Sequence, residues 1–208
     1  MVVDLLGAFG AWLRGLKNLY MNRRKWISAL LSSLPFALFS KTVKWKINMP
    51  PTEGFVVKAG EARFGVHYNM KGVTSNTLDI KISGADTSGS LAVFEQTGLT
   101  PNGGPPLHIH PYQDEWFFVM EGKYLFQVGE EKYRITEGDT IFLPRNVPHA
   151  FIQLTETGRM IVSYLPAGKM EDFFKTTSLW DSLPSKEEVV KVFEDHDMKI
   201  VGPPLQVN

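Results

Sequence analysis

From Phe55 onward the chain is mostly a series of short strand-like runs separated by turn residues, and this is its strongest constraint on fold. The runs are Gly54–Lys58, Arg63–Tyr68, Thr77–Ser83, Ser90–Gln96, Glu115–Glu121, Lys123–Val128, Glu131–Ile135, Thr140–Leu143, His149–Gln153 and Arg159–Leu165. Between them lie Gly84-Ala-Asp86, Gly98–Pro106, Glu121-Gly122, Gly129-Glu130, Glu137-Gly138-Asp139 and Thr157-Gly158. Glycine and the Asp/Asn turn formers interrupt a strand without building a helix, and strands at this spacing close into a sandwich or barrel. At 208 residues the chain suits one packed domain with extensions.

Composition narrows the chemistry. Lys plus Arg and Asp plus Glu number 22 each, so no net basic field exists to attract nucleic acid, and no such partner is expected. Cysteine is absent, which excludes disulfides and thiolate metal sites. Any metal must then be held by His, carboxylate or water. Three of the five histidines fall into two spaced clusters.

The first cluster is His108-Ile-His110-Pro-Tyr-Gln-Asp-Glu115, closing at Gly122. Side chains alternate along a strand, so His108 and His110 share a face and reach one ion together. Strict alternation would put Glu115 on the opposite face. Pro111 breaks the ladder and makes room for an irregular stretch over Tyr112–Asp114, which turns Glu115, Phe117 and Val119 inward. The second cluster is Gly138-Asp-Thr-Ile-Phe-Leu-Pro144-Arg-Asn146-Val-Pro148-His149. There Gly138 and Pro144 bound a strand, and a tight turn returns the chain with His149 opening the next one. Three imidazoles and one carboxylate favour Fe, Mn, Co, Ni, Cu or Zn over Ca or Mg. Four protein ligands leave positions open for a substrate or dioxygen.

The two patterns, H-x-H-x4-E-x6-G and G-x5-P-x-N-x2-H, closely resemble the two cupin motifs. Asn146 stands where cupins usually carry Gly, and Asn tolerates the left-handed backbone such a turn demands. Gly103 and Gly104 lie closer to His108 than the family's leading Gly. The resemblance covers Thr77 to Leu165 and implies an all-β cupin double-stranded β-helix, or jelly-roll barrel, with short N- and C-terminal helical extensions. It implies one divalent transition metal per chain, held by His108, His110, Glu115 and His149, and a homodimer. Gly103–His110, Pro166–Phe174 and Ile200–Leu205 further look like bacterial quercetin dioxygenase-like cupins of the conserved-barrel type. That narrower likeness implies a metal-dependent dioxygenase acting on a small aromatic or enolic substrate, with Glu115 as ligand and catalytic base. Two other readings stay open: an oxygen-independent decarboxylase, lyase or isomerase, and a non-catalytic metal- or small-molecule-binding module.

Small barrels are filled by inward side chains. Tyr112, Phe117, Phe126, Phe142, Phe151 and Gln153 are therefore the expected core and substrate-pocket residues, while Trp116 and Phe118 alternate outward. The division expected is residues 1–45 as a helical segment or export signal, and 46–208 as one cupin domain with its core at about 77–165 and a helical tail over 170–208.

In the first segment, Arg23-Arg24 before an apolar run resembles a twin-arginine signal. On that reading Met21 is the start and the protein is periplasmic; otherwise the segment packs on the barrel and the protein is cytoplasmic. The run is too short for a membrane span. In the tail, Ser185 and Glu188 form an S-x-x-E capping box that predicts a helix over Lys186–Asp195. Gly202-Pro-Pro204 reads as the end of regular structure. The tail is expected to cover the barrel or a dimer contact and to take no part in the chemistry.

Overall fold

The computed structural model describes residues 50–71 and 75–207; the expected helical or export segment lies outside the described residues. Among the described residues, eleven strands form two antiparallel sheets. One has six strands in the order β1 (His67–Met70), β2 (Asn76–Ile82), β3 (Ala92–Gly98), β10 (Gly158–Leu165), β5 (Asp114–Glu121), β8 (Thr140–Leu143). The other runs β11 (Lys199–Pro204), β4 (Pro106–Ile109), β9 (His149–Gln153), β6 (Lys123–Val128), β7 (Glu131–Thr136). The chain crosses between sheets at almost every connection after β3, which is the winding of a jelly roll. Helices α1 (Met170–Thr177) and α2 (Lys186–Asp195) follow the barrel. No helix among the described residues is long and apolar enough to cross a membrane.

The alternation in the sequence sets which face of each strand is buried. In β5, Glu115, Phe117 and Val119 are buried, whereas Trp116 faces out and stacks on Phe118 at 6.4 Å. Leu78, Phe94, Phe117, Val119, Met160 and Val162 come from the inner face of the six-stranded sheet and meet Phe126 from the other. A one-residue slip would turn this whole set to solvent, so the apolar pattern fixes the register. Gly122 joins β5 to β6 at φ +88°, and a side chain there would run into Thr155 and the Thr157 carbonyl. The capping box at α2 forms as the sequence predicts: the Ser185 hydroxyl accepts from the Glu188 amide and the Glu188 carboxylate from the Ser185 amide.

Three expectations are corrected. Gly54–Lys58 forms no strand; Phe55 instead packs beneath the Arg63 guanidinium, 3.9 Å from its ring centre. The run expected at Arg63–Tyr68 starts only at His67, because Gly65 closes a turn onto Ala62 at φ +68°. Gly202-Pro-Pro204 does not stop regular structure. It belongs to β11, an edge strand, where a proline's missing N–H costs no ladder hydrogen bond. β11 pairs Ile200 with His108 and Lys199 with Ile109, so the end of the chain holds the strand that carries the first histidine.

Candidate metal centre

Three elements deliver the four clustered side chains to one point. His108 on β4 is the cross-strand partner of His149 on β9 in the five-stranded sheet. Glu115 comes from β5 in the opposite sheet, and His110 sits just past the end of β4. The irregular stretch over residues 111–113 makes the sheet-to-sheet crossing that the Pro111 argument requires. It is locked from the second motif: Asn146, at φ +64°, donates its backbone N–H to the His110 carbonyl at 3.0 Å. Arg145 grips Asp114 with its backbone and its guanidinium, at 2.6–3.2 Å.

All four side chains are buried, and their ligand atoms lie within 4.8 Å of one another. His110 Nε2 and His149 Nε2 each stand 2.9 Å from Glu115 Oε1, and His108 Nε2 is 3.1 Å from His110 Nε2. Adjacent ligands at about 2.1 Å from one ion sit about 3 Å apart, so this spacing suits a single ion. Glu115 Oε1 and His149 Nε2 are buried and make no hydrogen bond among the described residues. Each imidazole turns its other nitrogen to an acceptor: His108 Nδ1 to the Pro106 carbonyl at 2.8 Å, His149 Nδ1 to the Val147 carbonyl at 3.0 Å, and His110 Nδ1 to Gln113 Oε1 at 3.3 Å. Acceptors at all three Nδ1 positions place the protons there and leave the Nε2 lone pairs facing one another across the cluster. A donor set so arranged can hold a divalent transition metal.

Burial, with the neighbouring His149 and His110, pulls the His108 imidazole down to about 3, so its lone pair is free at neutral pH. Burial pushes the Glu115 carboxyl up, but His110 and His149 together outweigh it and hold the group well below the usual carboxylate range. Burial lowers His149, and the Glu115 charge more than reverses that. Tyr164, the cross-strand neighbour of Glu115, is pushed well above its ordinary value by burial and then by the Glu115 charge, so its hydroxyl keeps its proton.

Gln113 is a supporting residue with two fixed contacts. Its carbonyl oxygen faces His110 Nδ1, and its amide donates to the Ala167 carbonyl at 3.0 Å. Gly168 leaves room for it, since a side chain there would strike the Gln113 amide. Replacing Gln113 with Leu is expected to lower metal affinity by about 10- to 100-fold, the usual loss when a histidine's outer partner goes. Competition with a chelator measures it; an unchanged affinity would mean that His110 is oriented by packing alone.

An apolar cavity opens from the four side chains, and Phe117 and Phe151 line it. The other expected pocket residues lie elsewhere. Tyr112, 64% exposed, turns to solvent from the kink; Phe142, 57% exposed, sits opposite Trp116 on the outer face of the β5–β8 pair. Phe126 is buried one layer behind, against Phe117 and Phe151 with ring centres 5.1 and 5.4 Å apart. Gln153 is buried at the far end of β9, where it fills the space over Gly98 and donates to the Thr155 carbonyl. The helical tail covers this side of the barrel and lines the cavity through Met170, Phe173, Phe174, Trp180, Phe193 and Met198. Phe193 meets the His108 ring edge-on at 5.4 Å. The Glu171 carboxylate anchors α1 by accepting from Ser83 Oγ at 2.9 Å and the Gly84 amide at 2.5 Å. The density of Phe, Met and Trp after Pro166 was the available signal for this wall.

Residues 97–164, about a third of the chain and the stretch holding all four clustered side chains, match the Cupin_2 family model, described as a cupin domain. Two curated relatives are uncharacterised proteins. One, from Methanocaldococcus jannaschii, is 37% identical over 43 residues, 21% of this chain and 34% of that one. The other, from Streptomyces coelicolor, is 33% identical over 54 residues, 26% of this chain and 51% of that one. The chain thus spans only a third to a half of the length of these relatives. Among solved structures, an RmlC-like cupin from Shewanella frigidimarina shares 21% identity at a TM-score of 0.47, covering 60% of this chain and 99% of that one. A predicted oxalate decarboxylase from Thermotoga maritima shares 15% at 0.48, covering 54% and 99%. The family match and the sheet topology support the cupin superfamily and a cupin jelly roll with small helical extensions.

Proposed function

We propose that the chain is a metal-dependent oxygenase, quercetinase-like in type, acting on a small aromatic or enolic substrate. The observation that carries this reading is the buried cluster of three imidazoles and one carboxylate opening into an apolar cavity with aromatic rings from both sheets and both helices in its walls. His108, His110, Glu115 and His149 would hold one divalent transition metal, which supplies Lewis acidity toward a substrate oxygen and a place for dioxygen. The chain's residues do the rest. Glu115 accepts the proton that a phenolic or enolic hydroxyl gives up on binding. Phe117 and Phe151, one from each sheet, orient the ring between them, and the rings of α1 and α2 exclude water from above. The Tyr164 hydroxyl, kept protonated beside Glu115, offers a hydrogen bond to a substrate oxygen.

The protein loaded in turn with Fe, Mn, Co, Ni and Cu is expected to consume oxygen when given quercetin or related phenolic diols. An oxygen electrode measures the uptake, with anaerobic incubation as the control. Turnover without oxygen would move the assignment to a decarboxylase, lyase or isomerase, and tight binding without product to a non-catalytic module. A homodimer belongs to the same proposal and is read from the mass in solution by light scattering.

A further inference from the structure

One polar side chain in the cavity has no structural task. Gln96 on β3 is buried, 7% exposed, and lines the cavity far from the metal cluster. Its neighbours across the sheet are Leu78 and Met160, both apolar, and its amide makes no hydrogen bond among the described residues. A buried amide normally finds a partner, because leaving it unpaired costs more than the hydrogen bond itself is worth. An apolar residue would pack here at less cost. The amide's remaining direction is into the cavity.

The sheet gives its distance from the metal end. Glu115 pairs with Tyr164, which pairs with Ala92, and Gln96 is four residues further along β3. Two strand spacings of about 4.8 Å and four residues of about 3.3 Å separate the backbones by roughly 16 Å. Both side chains stand off the same face, so their end groups are separated by a similar distance. Ligation at one end and a hydrogen bond at the other take up about 5 Å. A ligand that touches both ends spans on the order of 10 Å, the length of two linked aromatic rings. The intervening walls come from Phe117, Phe151, Tyr164, Phe173 and Phe174, which suit flat rings.

We infer that Gln96 is a specificity-determining residue that hydrogen-bonds the distal hydroxyl of an elongated two-ring aromatic ligand, whose other end carries the metal-binding oxygens. This deepens the functional reading above and rests on it.

The test is calorimetric titration of the metal-loaded full chain with catechol, 4-phenylcatechol and 4-(4-hydroxyphenyl)catechol. The compound with the distal hydroxyl is expected to bind about five- to tenfold tighter than 4-phenylcatechol, the yield of one satisfied amide hydrogen bond. Gln96→Leu should abolish that advantage and leave 4-phenylcatechol within about twofold of its original affinity. The same variant should melt at or close to the parent temperature, since it loses no hydrogen bond within the chain; a merely structural Gln96 would lower it. Gln96→Met serves as the second variant. Equal affinities for the two biphenyls in the parent protein, or an advantage that survives in Gln96→Leu, overturn the inference. If catechol binds but the distal hydroxyl adds nothing, this inference alone falls. If the chain takes up no metal and binds no catechol, the underlying reading falls with it.

Discussion

His149→Ala is expected to abolish metal loading while leaving the barrel folded. The residue opens β9, where its imidazole stands 2.9 Å from Glu115 Oε1 and is the cross-strand partner of His108. Its Nδ1 faces the Val147 carbonyl, so the ring is held in one orientation with Nε2 toward the cluster. Removing it takes away one of four donors and leaves His110 as the one remaining imidazole beside Glu115 Oε1, at 2.9 Å. Loss of a supporting partner costs about 10- to 100-fold in affinity, and loss of a ligand itself should cost more than that. Elemental analysis of the purified variant reads this directly. Melting temperature gives an independent reading. Metal at a hundred times its dissociation constant stabilises a folded protein by about 2.7 kcal/mol, so added metal should raise the parent's melting point and not the variant's. A variant that retains one equivalent of metal would show that the ion sits elsewhere.

What was legible in the sequence divides along physical lines. The strands from Lys123 to Gln153 are readable because each is short and is set off by Gly or Pro at its start; Thr140–Leu143 and His149–Gln153 appear with the expected ends. The convergence of the four clustered side chains was readable because the motif offsets determine face and register together. Asn146 was readable for the same reason: only a few residue types take φ +64° comfortably, and the turn uses it to grip His110. The cavity walls were less legible. Alternation says whether a side chain faces in or out of its own sheet, but not where the opposite wall stands. Phe142 was expected in the pocket, yet it lies opposite Trp116 on the outer face, because β8 is an edge strand whose phase is set by β5. Phe173 and Phe193 belong to helices whose docking depends on distant contacts such as Glu171 to Ser83. β11 was missed because two consecutive prolines normally argue against a strand, and only an edge position makes them harmless.

The largest effect on stability is expected from Phe94→Ala, at about 3–5 kcal/mol. Phe94 is fully buried on β3 and makes edge-to-face contacts with Tyr164 and Phe174, ring centres 5.8 and 5.0 Å apart. It therefore touches the strand that pairs with the Glu115 strand and the helix that roofs the cavity. Truncation loses the transfer energy of a phenyl ring and leaves a hole that the paired backbones of β2, β3 and β10 cannot close. At roughly 2–4 °C per kcal/mol for a chain of this size, the melting temperature should drop by about 10 °C. Urea titration gives the free energy, and an unchanged slope shows that the native state keeps its extent. The variant also separates the roof from the metal cluster, because the ring contacts of Phe94 are with Tyr164 and Phe174 and not with the three imidazoles. Metal affinity should stay within a few-fold of the parent while binding of aromatic ligands weakens, since Phe174 loses the ring that props it. A loss below about 1 kcal/mol would mean that α1 does not rest on the barrel through this contact, and the aromatic roof over the cavity would then need another support.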